Sequence, residues 1–113
     1  MSIPARYDIK HYEGDTYDLT IKIPIDLTLA TVKFEIKVPG AAAATLELTE
    51  GSGIGVDAYD AIAGTTTVYI QITSGQSNTL GTTVYFYDLE TTISGQVITW
   101  LSGIFAQTAQ VTE

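Results

Sequence analysis

Apolar and polar residues alternate along most of the chain, and a period of two residues predicts β-strands. Two segments show the alternation most cleanly, TYDLTIKI from Thr16 to Ile23 and TVKFEIKV from Thr31 to Val38. In each segment large apolar residues fill every second position, and Thr, Asp, Lys or Glu fill the positions that should face solvent. TLELT at 45–49 and TTTVYIQIT after Gly64 repeat the pattern. We therefore expect several half-buried strands separated by turns.

The stretch from Gly81 to Phe105 predicts a hairpin with a Ser94-Gly95 turn, and it holds the densest group of large side chains. Tyr85, Tyr87 and Leu89 share one face and should form the centre of the core. The opposite face is also apolar, and a strand with two apolar faces is covered on both. We interpret that second face as a subunit interface; a sugar-binding platform and cover by the same chain are the alternatives. The predicted interface residues are Val84, Phe86, Ile98 and Trp100.

Seven to eight short strands joined by Gly, Pro, Ser and Asp turns indicate an all-β fold, either an antiparallel sandwich or a small barrel. We expect a single antiparallel, immunoglobulin-like β-sandwich over residues 1–113. An N-terminal arm (1–13) should carry a short strand, and a C-terminal tail (107–113) should be frayed or docked on a partner. Gly51–Gly55 is interpreted as a turn cluster and Ser74–Gly81 as a polar loop.

Composition narrows the function classes. With 45% hydrophobic and 16% charged residues, the 113-residue chain should fold as one globular domain. It has no cysteine, which excludes disulfides and thiolate metal sites and fits a reducing cytoplasm. No apolar run has the length of a membrane helix. The net charge of −8 argues against nucleic acid as a partner. All five bases lie in the first 37 positions, so acidic and basic patches of neighbouring copies could meet.

Residues that could carry chemistry are few. His11 is the sole histidine, no serine lies in a nucleophile elbow, and we expect a surface or interface histidine rather than an enzyme. Asp57 and Asp60 could offer oxygen ligands to an ion, although loops often carry Asp for turn chemistry. Asp88 and Glu90 share one strand face, as paired carboxylates of a glycosidase could, but a solvated face is the simpler interpretation. No metal or cofactor is expected.

The order of motifs resembles small structural proteins of tailed bacteriophages. The matching segments are GDTYDLTIKI, DLT-x-x-TVKFEIK, an LEL segment, G-x-G-I, GTTTVYIQIT and VYFYDLET-x-x-SGQV-x-x-WLSGIF. They run from Gly14 to about Phe105, and they are also similar to the N-terminal sandwich of phage upper-baseplate proteins. The chain departs from the family pattern at Leu29-Ala30, at the AAAA run and in the Val56–Ala63 loop, so loop functions do not carry over.

The resemblance implies a non-enzymatic virion protein that is present in repeated copies and binds other virion proteins or its own copies. Capsid decoration, as a cement protein, is favoured over a tail or baseplate position, because both ends of the chain form arms. The resemblance also implies a place in the virion, assembled in the host bacterial cytoplasm. The alternative is a tail, baseplate or fibre component that binds host glycans through exposed tyrosines.

Overall fold

The structure is a computed structural model that describes residues 5–109. Residues 1–4 of the expected arm and 110–113 of the expected tail lie outside the described residues. The regular structure of the described part is β-strand apart from one short helix, α1 (Ser74–Thr79). Its strands are β1 (Ala5–Arg6), β2 (Ile9–Tyr12), β3 (Tyr17–Ile23), β4 (Thr31–Lys37), β5 (Leu46–Glu50), β6 (Gly53–Val56), β7 (Thr66–Ile72), β8 (Val84–Ile93) and β9 (Gln96–Thr108).

The strands form one sheet in the order β1-β9-β8-β4-β5-β6-β7-β3, and β2 also pairs with β9. Three strand pairs are parallel, namely β1–β9, β2–β9 and β5–β6, and the other pairs are antiparallel. The all-β prediction is confirmed, but the sheet is mixed instead of purely antiparallel. The parallel pairs arise because the arm runs alongside the last strand, and because the chain coils tightly between β5 and β6. Gly51 between the two strands and Gly53 at the start of β6 have φ values of 80° and 100°.

The sheet curls so that its two ends meet around the core. Tyr17 on β3, the last strand in the order, contacts His11 on β2 and Phe105 on β9, with ring centroids 5.6 and 6.3 Å apart. Burial, followed by the neighbouring Tyr7, raises the pKa of Tyr17 to about 12. The largest fully buried apolar side chains come from most of the strands and the α1 end: Ile23, Phe34, Ile36, Leu48, Val68, Ile70, Ile72, Leu80, Leu89 and Phe105.

The alternating segments are strands, as the pattern predicts. On β7 the three inward residues Val68, Ile70 and Ile72 are buried, and on β8 the same holds for Tyr85, Tyr87 and Leu89. The predicted inward positions of β3 are less well covered, since only Ile23 is fully buried. Glu35, which should face solvent, is buried instead, because β4 lies between β5 and β8 and its polar face is covered by neighbouring side chains.

Two loop predictions are wrong. Residues 74–79 form α1, where the Thr73 hydroxyl accepts from Gln76 N and the Gln76 side chain accepts from Thr73 N, a capping box. Six residues are too few to display a helical period. The turn cluster Gly51–Gly55 is correct only for Gly51 and Ser52, because β6 begins at Gly53 and pairs with β7.

The expected tail is also anchored at its start. Gln107 belongs to β9 and is buried. Its Nε2 donates to the carbonyls of Ser77 and Leu80 at 2.9 Å each, and its Oε1 accepts from Ser77 Oγ at 3.2 Å. These bonds fix α1 against the last strand, so the C-terminal part of β9 holds the fold together at this end.

Candidate functional site

The side of the sheet that faces away from the core, over β1, β9, β8 and β4, is the strongest candidate for a functional surface, and we call it the outer face. Strand register aligns its side chains in rows, because residues paired across a sheet point to the same side. One row runs Arg6, Ser102, Asp88 and Glu35, and the next contains Ile104, Phe86 and Lys37.

Two of the four predicted interface residues lie together on the outer face. Phe86 is 51% exposed and Val84 is 46% exposed. Phe86 pairs with Ile104 and Val84 pairs with Ala106, and both β9 partners are half-buried. The result is an apolar patch that the described chain does not cover.

The other two predicted residues do not join this patch. The β8–β9 register shifts between Leu89 and Glu90, so that Trp100 is an extra residue in β9. Trp100 is half-buried, packs against the core and donates from Nε1 to Thr91 Oγ1 at 2.9 Å. Ile98 pairs with Thr91, which is fully buried. The bulge therefore turns Ile98 and Trp100 away from Phe86, and the simple alternation used for the prediction fails there.

The β4 part of the outer face carries a matched group of charges. Lys33 Nζ lies 3.1 Å from Glu35 Oε1 and 3.4 Å from Glu90 Oε1, and Lys37 Nζ lies 3.8 Å from Glu35 Oε2. Hydrogen bonding and attraction to Glu35, followed by Glu90, raise the pKa of Lys33. Glu35 is thus held between two lysines, which compensates the cost of burying its charge.

Asp88 faces Glu35 across the β4–β8 ladder, and in the described chain no cation lies within ion-pair distance of it. Its Oδ1 is buried and has no hydrogen-bond partner in the described chain. Burial raises the pKa of Asp88, and the charges of Glu90 and Glu35 raise it further, while the more weakly acting charges of Lys37 and Lys33 lower it. A carboxylate oxygen that is shielded from water and unpaired is unfavourable in the isolated chain.

The N-terminal segment forms the border of the outer face, and several contacts hold it there. Tyr87 Oη donates to the carbonyl of Tyr7, and Ile104 N donates to Asp8 Oδ1 at 3.1 Å. Gly103 permits this approach, because a Cβ there would overlap the Tyr7 carbonyl and lie 2.9 Å from Asp8 Oδ1. Burial of Tyr87, followed by the neighbouring Tyr17, raises the pKa of its phenol. Arg6 is therefore presented at a fixed place beside β9.

The Asp57 and Asp60 loop shows turn chemistry. Asp60 Oδ1 accepts from the backbone N–H groups of Ile62 and Ala63 at 3.0 and 3.1 Å, and Asp57 Oδ2 accepts from Tyr69 Oη at 2.6 Å. Among residues 5–109, no group of three or more His, Cys, Asp or Glu side chains could hold a metal ion. Asp88 and Glu90 do share the outer face, where Glu90 pairs with Lys33.

His11 is buried, so its interpretation as a surface or interface residue is wrong. Its ring lies against Tyr17 and Phe105, and its Nδ1 is 3.2 Å from Gln107 Oε1. Its Nε2 has no partner in the described chain. The alternation of the arm predicts that Ile9 and His11 share a face, and parallel pairing with β9 makes that face part of the core.

Sequence reasoning missed Arg6, Ile104 and the unpaired state of Asp88. Arg6 comes to the outer face through the parallel β1–β9 pair, for which a two-residue strand gives no periodic signal. Ile104 comes there through its pairing with Phe86 on β8. The unpaired state of Asp88 could have been predicted from the sequence. Its neighbours on the same face, two positions away on either side, are Phe86 and Glu90, and neither is a cation.

Comparison with models of protein families and with curated protein sequences gives no match to this chain. In the part of the chain that the structure describes, no helix has the length and apolar character needed to cross a membrane.

Proposed function

We propose that the chain is a non-enzymatic structural subunit of a tailed-bacteriophage virion, where it binds neighbouring subunits in repeated copies through its outer face. The observation that supports the binding role is that an uncovered apolar patch, Val84 and Phe86, lies beside the buried, unpaired oxygen of Asp88. Both are unfavourable in the isolated chain, and a protein partner that covers Phe86 and brings a cation near the Asp88 carboxylate would relieve both.

The virion assignment is supported by the resemblance of the sequence to small phage structural proteins. Capsid decoration is favoured over a tail or baseplate position, and assembly would take place in the host bacterial cytoplasm. We also infer that the curled sheet is a two-layered, immunoglobulin-like sandwich. The support is the contact of Tyr17 with His11 and Phe105, which brings the two ends of the strand order together.

The test is the composition of particles purified from cells that carry and express the gene. Mass spectrometry should find the chain at tens of copies or more per particle. Phe86→Asp should reduce its incorporation at least tenfold, because it places a charge in the apolar patch. Leu29→Asp is the matched control, since Leu29 is also apolar and exposed but lies outside the outer face. Absence of the chain from particles whose other structural proteins are detected would refute the proposal.

A host-glycan adhesion module is the second candidate, and Tyr69 is the observation that favours it. Its ring is exposed, the neighbouring Gly55 has no side chain, and Asp18 and Gln71 lie on the same strand pair. An exposed ring flanked by polar groups suits stacking on a sugar. Titration with a glycan panel should then quench tyrosine fluorescence in the wild type and in Tyr12→Ala but not in Tyr69→Ala. A flat response across the panel counts against adhesion.

A further inference from the structure

The outer face holds a cation and an anion that do not meet within one chain. Arg6 pairs with Ser102, and Ser102 pairs with Asp88, so the three lie in one row across β1, β9 and β8. Neighbouring strands are about 4.8 Å apart, which places Arg6 and Asp88 roughly 10 Å from each other. The ion-pair partner of Arg6 in the described chain is the exposed Asp8, at 3.3 Å. Asp88 has no ion-pair partner there.

The apolar patch lies beside this row. Phe86 and Ile104 form the adjacent row, two residues further along β8 and β9. Arg6, Phe86, Asp88 and Ile104 line one shallow concavity on the surface. A partner that fits this face must therefore offer an apolar contact to Phe86 and, within the same short distance, a cation to Asp88.

A second copy of the same face meets this requirement by symmetry. β9 lies between β1 and β8, so each of these strands is one strand spacing from it. A two-fold axis that lies over the face and runs along β9 places β1 of one copy above β8 of the other. Arg6 and Asp88 share a row, so each Arg6 then faces the other copy's Asp88, and Ile104 faces Ile104. An isologous interface requires this kind of reciprocal contact.

We propose that the outer face pairs with the same face of a second copy, about a two-fold axis along β9, with two reciprocal Arg6–Asp88 ion pairs around the Phe86 and Ile104 patch. The inference rests on the proposed role of the outer face in subunit binding and names its partner. Each ion pair gives the Asp88 carboxylate a cation that its own chain does not place within ion-pair distance. Phe86 lies against the other copy's Ile104, and that copy's Asp8, which accepts from Ile104 N, lies at the edge of the contact.

The experiment exchanges the charges of Arg6 and Asp88 in the full chain. Analytical ultracentrifugation over a concentration series at low salt measures the molar mass of each variant. The wild type should form a dimer. Asp88→Arg and Arg6→Asp should each weaken dimerisation at least tenfold, because each places two like charges opposite one another twice. The double variant, and an equimolar mixture of the two single variants, should both dimerise within about threefold of the wild type. Only reciprocal pairing between copies predicts that the mixture dimerises.

Lys22→Asp and Glu50→Arg are the controls, because they make the same kinds of charge change on exposed strand positions outside the outer face. Both should dimerise as the wild type does. Circular dichroism melting of every variant separates loss of folding from loss of pairing. If one single variant is less stable, dimerisation of the mixture still tests the reciprocal pairing.

A wild type that is monomeric at all concentrations, or a mixture that stays monomeric while the wild type dimerises, overturns the inference. If the wild-type chain is monomeric and Asp88→Arg is nevertheless depleted from particles, the outer face binds a different virion protein. The proposed function would then survive. A dimer that never enters particles would refute the proposed function and leave the pairing intact.

Discussion

Glu35 and Asp88 are cross-strand partners on the outer face, yet the surroundings of the two carboxylates differ. Glu35 is more deeply buried and has lysines on both sides, whereas Asp88 has an unpaired oxygen and a raised pKa. The cause is the identity of the residues two positions away along each strand, because they lie on the same face as the carboxylate. The same-face neighbours of Glu35 along β4 are Lys33 and Lys37, and those of Asp88 along β8 are Phe86 and Glu90. Burial of a charge is tolerated where the strand itself supplies the counter-ions.

Removing the matched charge should have the larger effect. Glu35→Ala takes the shared partner from two half-buried lysines, and we expect a loss of about 2 kcal/mol in the free energy of unfolding, below the full value for a buried pair because both lysines reach solvent. Urea unfolding at pH 7, followed by Trp100 fluorescence, measures it. Glu47→Ala is the control, since Glu47 is exposed and lies directly opposite Glu35. Equal losses in the two variants would contradict the role of the lysines.

Removing the unmatched charge should have a smaller effect of opposite sign. The folded-state pKa of Asp88 is raised above the ordinary value of 3.8. The folded state therefore binds this proton more tightly than the unfolded state, and wild-type stability falls as pH rises from about 4 through the folded-state pKa. Asp88→Asn cannot ionise, so it should be more stable than the wild type at pH 7 by roughly 0.5 kcal/mol, a value discounted for the solvent that reaches this side chain.

At pH 3, where Asp88 is protonated in both states, the difference between Asp88→Asn and the wild type should approach zero. Thermal unfolding at both pH values, at concentrations that keep the chain monomeric, provides the measurement, with Glu47→Gln as an exposed-acid control. A variant that loses stability at pH 7 would show that the carboxylate is favourable in the single chain. The same substitution should weaken pairing with the second copy, so gain of stability and loss of binding would occur together.

The strands with clean alternation could be predicted from the sequence because the buried face of each is set by its own residues. The core positions of β7 and β8, such as Ile70 and Tyr87, follow from that local pattern. The burial of Glu35 could not be predicted in the same way. It depends on the central place of β4 in the strand order, and strand order is decided by contacts between residues far apart in sequence.

The candidate site was only half predictable. Val84 and Phe86 keep the alternation of β8 and lie where the pattern puts them. Ile98 and Trp100 lie beyond the bulge in β9, and one extra residue reverses which side of the sheet a position faces. The residues next to the bulge, Thr99 and Leu101, are not turn residues, so the prediction continued the two-residue alternation through it.

The parallel pairing of β2 with β9 also sets the order of events during synthesis. His11 and its hydrogen-bonded partner Gln107 are 96 residues apart. At the usual 5–20 residues per second, the early segment waits roughly 5–20 s on the ribosome before its partner strand exists. Arg6 depends on the same late strand for its place beside Ser102. A nascent chain therefore carries no complete outer face until β9 has been synthesised, and neighbouring copies on one messenger RNA cannot pair through this face before then.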